Sequence, residues 1–225
     1  MQAANRRRME TIYPFIIAAS DANESNDMRP TLSTILIAGT SHVGKSTLAG
    51  LLSERLRCEA ISTDSLARHP GRPWPGIPVP VEEYYTQLSA DTIHWFLKVH
   101  HQNIWPLIRA MIDRRSGTGT TTIFEGAALR PEFISPLLDS TVAGVFLHAD
   151  NDFLLERMRS EARYQDAKAK RQRIMDAFIE RSLRENTEML ASAQEHRVPI
   201  VDVTQGEELE KLLTDLAPGA DIPLS

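Results

Sequence analysis

From Leu32 onward, short apolar runs alternate with longer stretches in which apolar residues recur every three or four positions. Leu32–Ala38 is rich in β-branched residues and stops at Gly39, which predicts a buried parallel strand. Lys45–Arg57 carries Leu48, Leu51, Leu52 and Leu56 on one helical face. Ala60–Ser62, Thr120–Phe124, Val142–Leu147 and Pro199–Val203 read as four further strands, the third stopped by Glu125-Gly126. Helical spacing governs Ile93, Phe96, Leu97, His100, Ile104, Leu107, Ile108, Met111 and Ile112, with Ser89 as the N-cap. Pro106 is expected to kink or split that helix. Helices are also predicted over Asn151 to about Arg163, about Lys168 to Ala193, and Glu207–Leu216. Strands alternating with helices predict an α/β fold: a five-stranded parallel sheet with helices on both faces.

Two segments break the pattern. Residues 20–31 are polar and aperiodic and read as a linker, so residues 1–31 form an N-terminal arm and residues 32–225 one domain. Residues 69–80 carry five prolines, a density that excludes a helix or central strand and predicts a long loop, functional or disordered.

Composition narrows the function classes. A formal net charge of −5 disfavours nucleic acid as the main partner. The single cysteine, Cys58, allows no disulfide within the chain. No apolar run reaches the roughly 20 residues of a membrane span. Arg6, Arg7 and Arg8 before Ile12–Ala19 imitate a secretory leader, but Glu10 and Pro14 interrupt it. Dependence on ATP, argued next, points to the cytoplasm; the expected state is a monomer or a homodimer, which the sequence does not decide between.

The segment Gly39-Thr40-Ser41-His42-Val43-Gly44-Lys45-Ser46-Thr47 fits the phosphate-loop spacing, Gly, four residues, Gly-Lys-Ser. Its glycines let successive backbone N–H groups point at phosphate oxygens, and the following helix adds its positive dipole end. Lys45 is expected to reach the β- and γ-phosphates of ATP, and Ser46 to ligate Mg²⁺. The chain has no Asn-Lys-x-Asp guanine motif and no Leu-Ser-Gly-Gly transporter signature. Small-molecule and nucleotide kinases remain.

Three further motifs, in order, carry a resemblance. Ile61-Ser-Thr-Asp64-Ser65-Leu66 resembles the acidic motif after the second strand of chloramphenicol phosphotransferase and related small-molecule kinases. Ile123-Phe-Glu125-Gly126 resembles the third-strand Glu-Gly of 2-phosphoglycerate kinase and uridine kinase. Val145–Asp150 followed by Arg157, Arg159 and Arg163 resembles the fourth strand and lid of nucleoside monophosphate kinases. The resemblance covers roughly residues 33–204 and implies a three-layer P-loop fold with strand order 2-3-1-4-5. It also implies an acceptor side at about 65–115 and a helical lid at about 155–175.

Chemistry assigns expected roles. Asp64, at the end of a strand beside the loop, can orient an acceptor hydroxyl and take its proton, or cap the next turn. Glu125 is a candidate for Mg²⁺ or acceptor binding. Arg157 and Arg163 are candidate transition-state clamps, and Arg159 a nucleotide contact. Arg72, Trp74 and Arg130 are candidate acceptor contacts, through charge or ring stacking. The leading expectation is transfer of the γ-phosphate of ATP to a small-molecule hydroxyl. A nucleoside or nucleotide kinase, or an ATP-binding switch without small-molecule transfer, are its rivals.

Overall fold

The computed structural model describes residues 32–66, 69–74, 76–115 and 119–217; the expected arm and linker at 1–31 lie outside them. Strand β1 (Thr34–Ala38) is buried at every position and runs through the middle of the sheet. It pairs in parallel with β3 (Thr122–Glu125) on one side and β4 (Val142–His148) on the other. Outside these lie β2 (Glu59–Ser62) and β5 (Ile200–Asp202), giving the order β2-β3-β1-β4-β5. All pairings are parallel. Strand order and three-layer arrangement therefore match the P-loop kinase expectation.

The period of two along β1 builds two cores. Ile35 and Ile37 join Leu48 and Leu52 of α1 (Lys45–Leu56), with Leu154 and Met158 of α5 (Asn151–Glu161). Phe178 of α6 (Ala169–Glu195) and Leu212 and Leu213 of α7 (Gly206–Leu216) belong to the same face. Leu36 and Ala38 face the opposite way, toward Ile108 and Ile112 of α3 (Ala90–Arg115), Ile134 of α4 (Pro131–Ile134) and Met189 of α6. A strand covered on both sides must read as an unbroken apolar run, as Thr34–Ala38 does.

Two local expectations are corrected. Pro106 does not split α3, which runs unbroken over its 26 residues. One proline removes one backbone donor, and buried Ile108 and Ile112 beyond it hold the helix on the sheet. The proline-rich loop also ends sooner than its composition suggests. Helix α2 (Val79–Gln87) begins inside it, with Pro80 in the first turn, where a missing N–H costs no helical bond.

All strands point the same way, so the carboxyl ends of β1, β2 and β3 gather the phosphate loop, Asp64 and Glu125 at one edge.

Candidate active site

The phosphate loop is shaped by backbone angles that disfavour side chains. Gly39 has φ 147°, and a Cβ there would lie 2.8 Å from Val43 Cγ1 and 2.9 Å from the Leu147 carbonyl oxygen. His42 (φ 67°) and Gly44 (φ 106°) continue the left-handed path into α1. No side chain caps that helix, so its first-turn N–H groups remain available to an anion. Thr40 is fully buried; its hydroxyl lies 3.1 Å from the Ser182 carbonyl oxygen and 3.2 Å from Glu185 Oε2, tying the loop to α6. Lys45 is folded onto the loop, its Nζ donating to the Thr40 carbonyl at 2.8 Å.

The Ser46 hydroxyl donates to Glu125 Oε1 at 3.2 Å, although 79 residues separate them. Glu125 is buried as the last residue of β3. A hydroxyl beside a carboxylate is a set of hard oxygen donors suited to Mg²⁺.

Asp64 sits in a turn over Thr63–Ser65 rather than at a helix N-cap. Gly126 (φ 153°) makes its position possible. A Cβ at Gly126 would overlap Thr63 Oγ1 and come within 3.2 Å of Asp64 Oδ1. The Glu125-Gly126 pair thus contributes a carboxylate and the space for its neighbouring acidic motif.

Asp64 and Lys45 line one cavity of about 320 Å³, together with Ser41, Arg72, His101 and Arg181. Arg72 also reaches Glu161 Oε1 at 2.7 Å. Trp74 lies elsewhere. Its ring is buried edge-on against Phe178, its Nε1 donates to Glu161 at 3.2 Å, and it lines a second cleft of about 610 Å³ with Glu161 and Arg163. Arg130 is buried and bonded to Glu132 at 2.5 Å, and its charge bears on His101. Of the lid arginines, exposed Arg157 is close enough for its charge to act on His42. Arg159 instead packs over the Tyr164 ring, 4.8 Å from its centroid, and Arg163 stands at the outer cleft.

Sequence reasoning missed three residues here. Glu161 gathers the lid end of α5, Arg72, Trp74 and the loop histidine, whose Nε2 is 3.1 Å from its Oε2. Burial is the main cause that lowers the His42 pKa to about 4, so the ring is neutral near neutral pH. Burial opposes ionisation of Glu161, but hydrogen bonds from Trp74 and Arg72 and the nearby charges hold its carboxyl below the ordinary value. Glu185, fully buried behind the loop, is pushed up by burial. Arg181 is buried on the same helix and faces the Asp64 cavity. A signal was present: Arg181 and Glu185 fall in the apolar stripe that contains Ile174, Phe178, Ser182 and Met189.

Sheet order and phosphate loop define a P-loop protein with the fold of the small-molecule kinases. Comparison with known proteins agrees. The chain is 24% identical to the 2-phosphoglycerate kinase of Thermococcus kodakarensis over 194 residues, 81% of this chain and 66% of that protein, so it spans just under two thirds of that relative's length. A gluconokinase from Sinorhizobium meliloti 1021 superposes with a TM-score of 0.50 at 23% identity, covering 85% of this chain and 95% of that one. A sugar kinase from Janibacter sp. HTCC2649 gives 0.50 at 20% identity, covering 86% and 100%. No protein-family model matches the chain. Distant homology and fold together link this chain to the P-loop small-molecule kinases. Among the described residues, no helix is long and apolar enough to cross a membrane.

Proposed function

We propose that the protein transfers the γ-phosphate of ATP to a hydroxyl of a small-molecule acceptor held beside Asp64. The observation that carries this reading is that Asp64 and the phosphate-loop Lys45 line the same cavity. Phosphoryl transfer needs positioning and charge neutralisation more than covalent assistance, and the site is organised in that way. The loop N–H groups and Lys45 bind the β- and γ-phosphates. For this, Lys45 leaves the Thr40 carbonyl, which already holds it over the loop. Asp64 accepts a hydrogen bond from the acceptor hydroxyl and takes its proton as that oxygen bonds to the γ-phosphorus. The bond from phosphorus to the β-γ bridging oxygen breaks, and ADP leaves with that oxygen. Ser46 and Glu125 are the residues that would hold Mg²⁺, which supplies neutralisation of phosphate charge when bound. Arg157, on the lid face that bears on the loop, closes onto the transferred group.

The covered ring of Trp74 offers no free face at Asp64 on which a nucleobase could stack, which weighs against a nucleoside acceptor. The test is product analysis after incubating the protein with ATP, Mg²⁺ and a broad panel of hydroxyl compounds. Acceptor-dependent ADP and a phosphorylated product, both absent with Lys45→Ala, are expected. ATP binding without any acceptor product would refute the transfer reading in favour of a switch.

A further inference from the structure

The most buried arginine lining the Asp64 cavity is one that the reaction scheme leaves unused. Arg181 is only 5% exposed. Its Nη2 donates to Ser182 Oγ at 3.2 Å, while Nε and Nη1 are buried with no hydrogen-bond partner. Its Cζ lies 4.6 Å above the Phe178 ring centroid, which fixes the plane of the guanidinium. The nearest carboxylate along the helix, Glu185, feels the charge of Arg181 but forms no ion pair with it within 4.0 Å. That group directs Oε2 to the Thr40 hydroxyl at 3.2 Å and Oε1 toward His101 Nδ1 at 3.7 Å. Asp64 is on the same cavity wall but forms no ion pair with Arg181 within 4.0 Å. A buried guanidinium with two unused donors is costly unless something anionic arrives to meet it.

We infer that the acceptor is a compact hydroxy compound bearing one anionic group, carboxylate or phosphate monoester, bound by the Arg181 guanidinium, with its hydroxyl at Asp64. A guanidinium donates charge-assisted hydrogen bonds to the oxygens of either anion. Arg72, half-exposed and paired with Glu161, is a second cation lining the same cavity. The cavity volume of about 320 Å³ is at the small end for ligand sites and suits a compact acceptor. The inference rests on the transfer reading for the hydroxyl at Asp64; the anion site itself does not.

Two matched series separate the terms: glycerol, glycerate and glycerol 3-phosphate; sorbitol, gluconate and sorbitol 6-phosphate. Binding to the full chain saturated with MgADP is measured by calorimetry, and turnover with MgATP by product analysis. An anionic member of at least one series should bind about tenfold or more tighter than its neutral parent. The stronger of the carboxylate and phosphate arms identifies the group. Arg181→Met should erase that preference and leave MgADP affinity unchanged, and Arg181→Lys should restore part of it. Because the substitution removes an unpaired buried charge, Arg181→Met should keep or raise Tm, an outcome that a purely structural arginine would reverse. No anionic preference in either series, or a preference that survives Arg181→Met, overturns the inference. Anion binding through Arg181 with no turnover upholds the site and refutes phosphoryl transfer instead.

Discussion

Replacing Gly126 by alanine tests how the Glu-Gly motif builds the site, without knowledge of any ligand. Two costs add. At φ 153° an L side chain is strained, by about 1–3 kcal/mol. The new Cβ would also overlap Thr63 Oγ1, stand 3.1 Å from Thr63 Cβ and approach Asp64 Oδ1 within 3.2 Å. Overpacking of a filled site costs about 1–3 kcal/mol more. Thr63 cannot swing aside freely, since it is fully buried in the turn that presents Asp64. Gly126→Ala should therefore lose roughly 2–5 kcal/mol in urea unfolding. Its acceptor-dependent turnover should fall more than its MgADP affinity, because the displaced residue is on the acceptor side. The clash can be isolated. Thr63 Oγ1 is buried without a hydrogen-bond partner, so Thr63→Ala sacrifices no hydrogen bond. Thr63→Ala in the Gly126→Ala background should recover the packing part, about 1–3 kcal/mol, and leave the backbone part. Stability of Gly126→Ala within about 0.5 kcal/mol of the parent, or a double variant no more stable than the single, refutes the reasoning.

Other predictions follow from the same geometry. Glu125→Gln should raise the Mg²⁺ concentration for half-maximal activity about tenfold or more and change acceptor KM little, checked by Mg²⁺ titration. Acid should destabilise the fold before the carboxylates titrate. The His42 pKa is held at about 4 against 6.5 unfolded, so the unfolded chain binds more protons between those values and stability falls as pH drops through that window. The depressed pKa values of half-buried His69 and buried His101 act in the same direction. His42→Asn, which tolerates φ 67°, should flatten the decline by on the order of 2–3 kcal/mol in urea titrations at pH 7 and 4.5. Glu161→Ala should release Arg72 and Trp74 together, read as a shift in Trp74 emission in a Trp95→Phe, Trp105→Phe background with α-helical circular dichroism retained.

Much of the molecule was legible from the chain alone. A phosphate loop is a backbone device whose glycines and lysine are neighbours in sequence, so Gly39–Ser46 could be read directly. The buried strands were readable for a similar reason, since covering both faces of a parallel sheet requires unbroken apolar runs such as Thr34–Ala38 and Val142–Leu147. Boundaries shifted by a residue or two; Glu125 became the end of β3 rather than the stop after it, which aims its carboxylate at Ser46. Helix α2 was hidden because proline density suggested a loop, and one proline in a first turn does not oppose a helix.

What the tertiary structure decided is how separated segments meet. Trp74 and Arg72 are nearly adjacent in sequence, yet one lines the outer cleft and the other the Asp64 cavity. Arg181 looked like one more cation on a long helix until folding put its stripe against the cavity and left two nitrogens unmatched. The sequence by itself determined the phosphate loop and the sheet, because both follow from local backbone conformation and periodic burial. The wall of the Asp64 cavity depends on side chains from α6, the proline-rich loop and the turn after β2, and only their packing assigns each charge its neighbours.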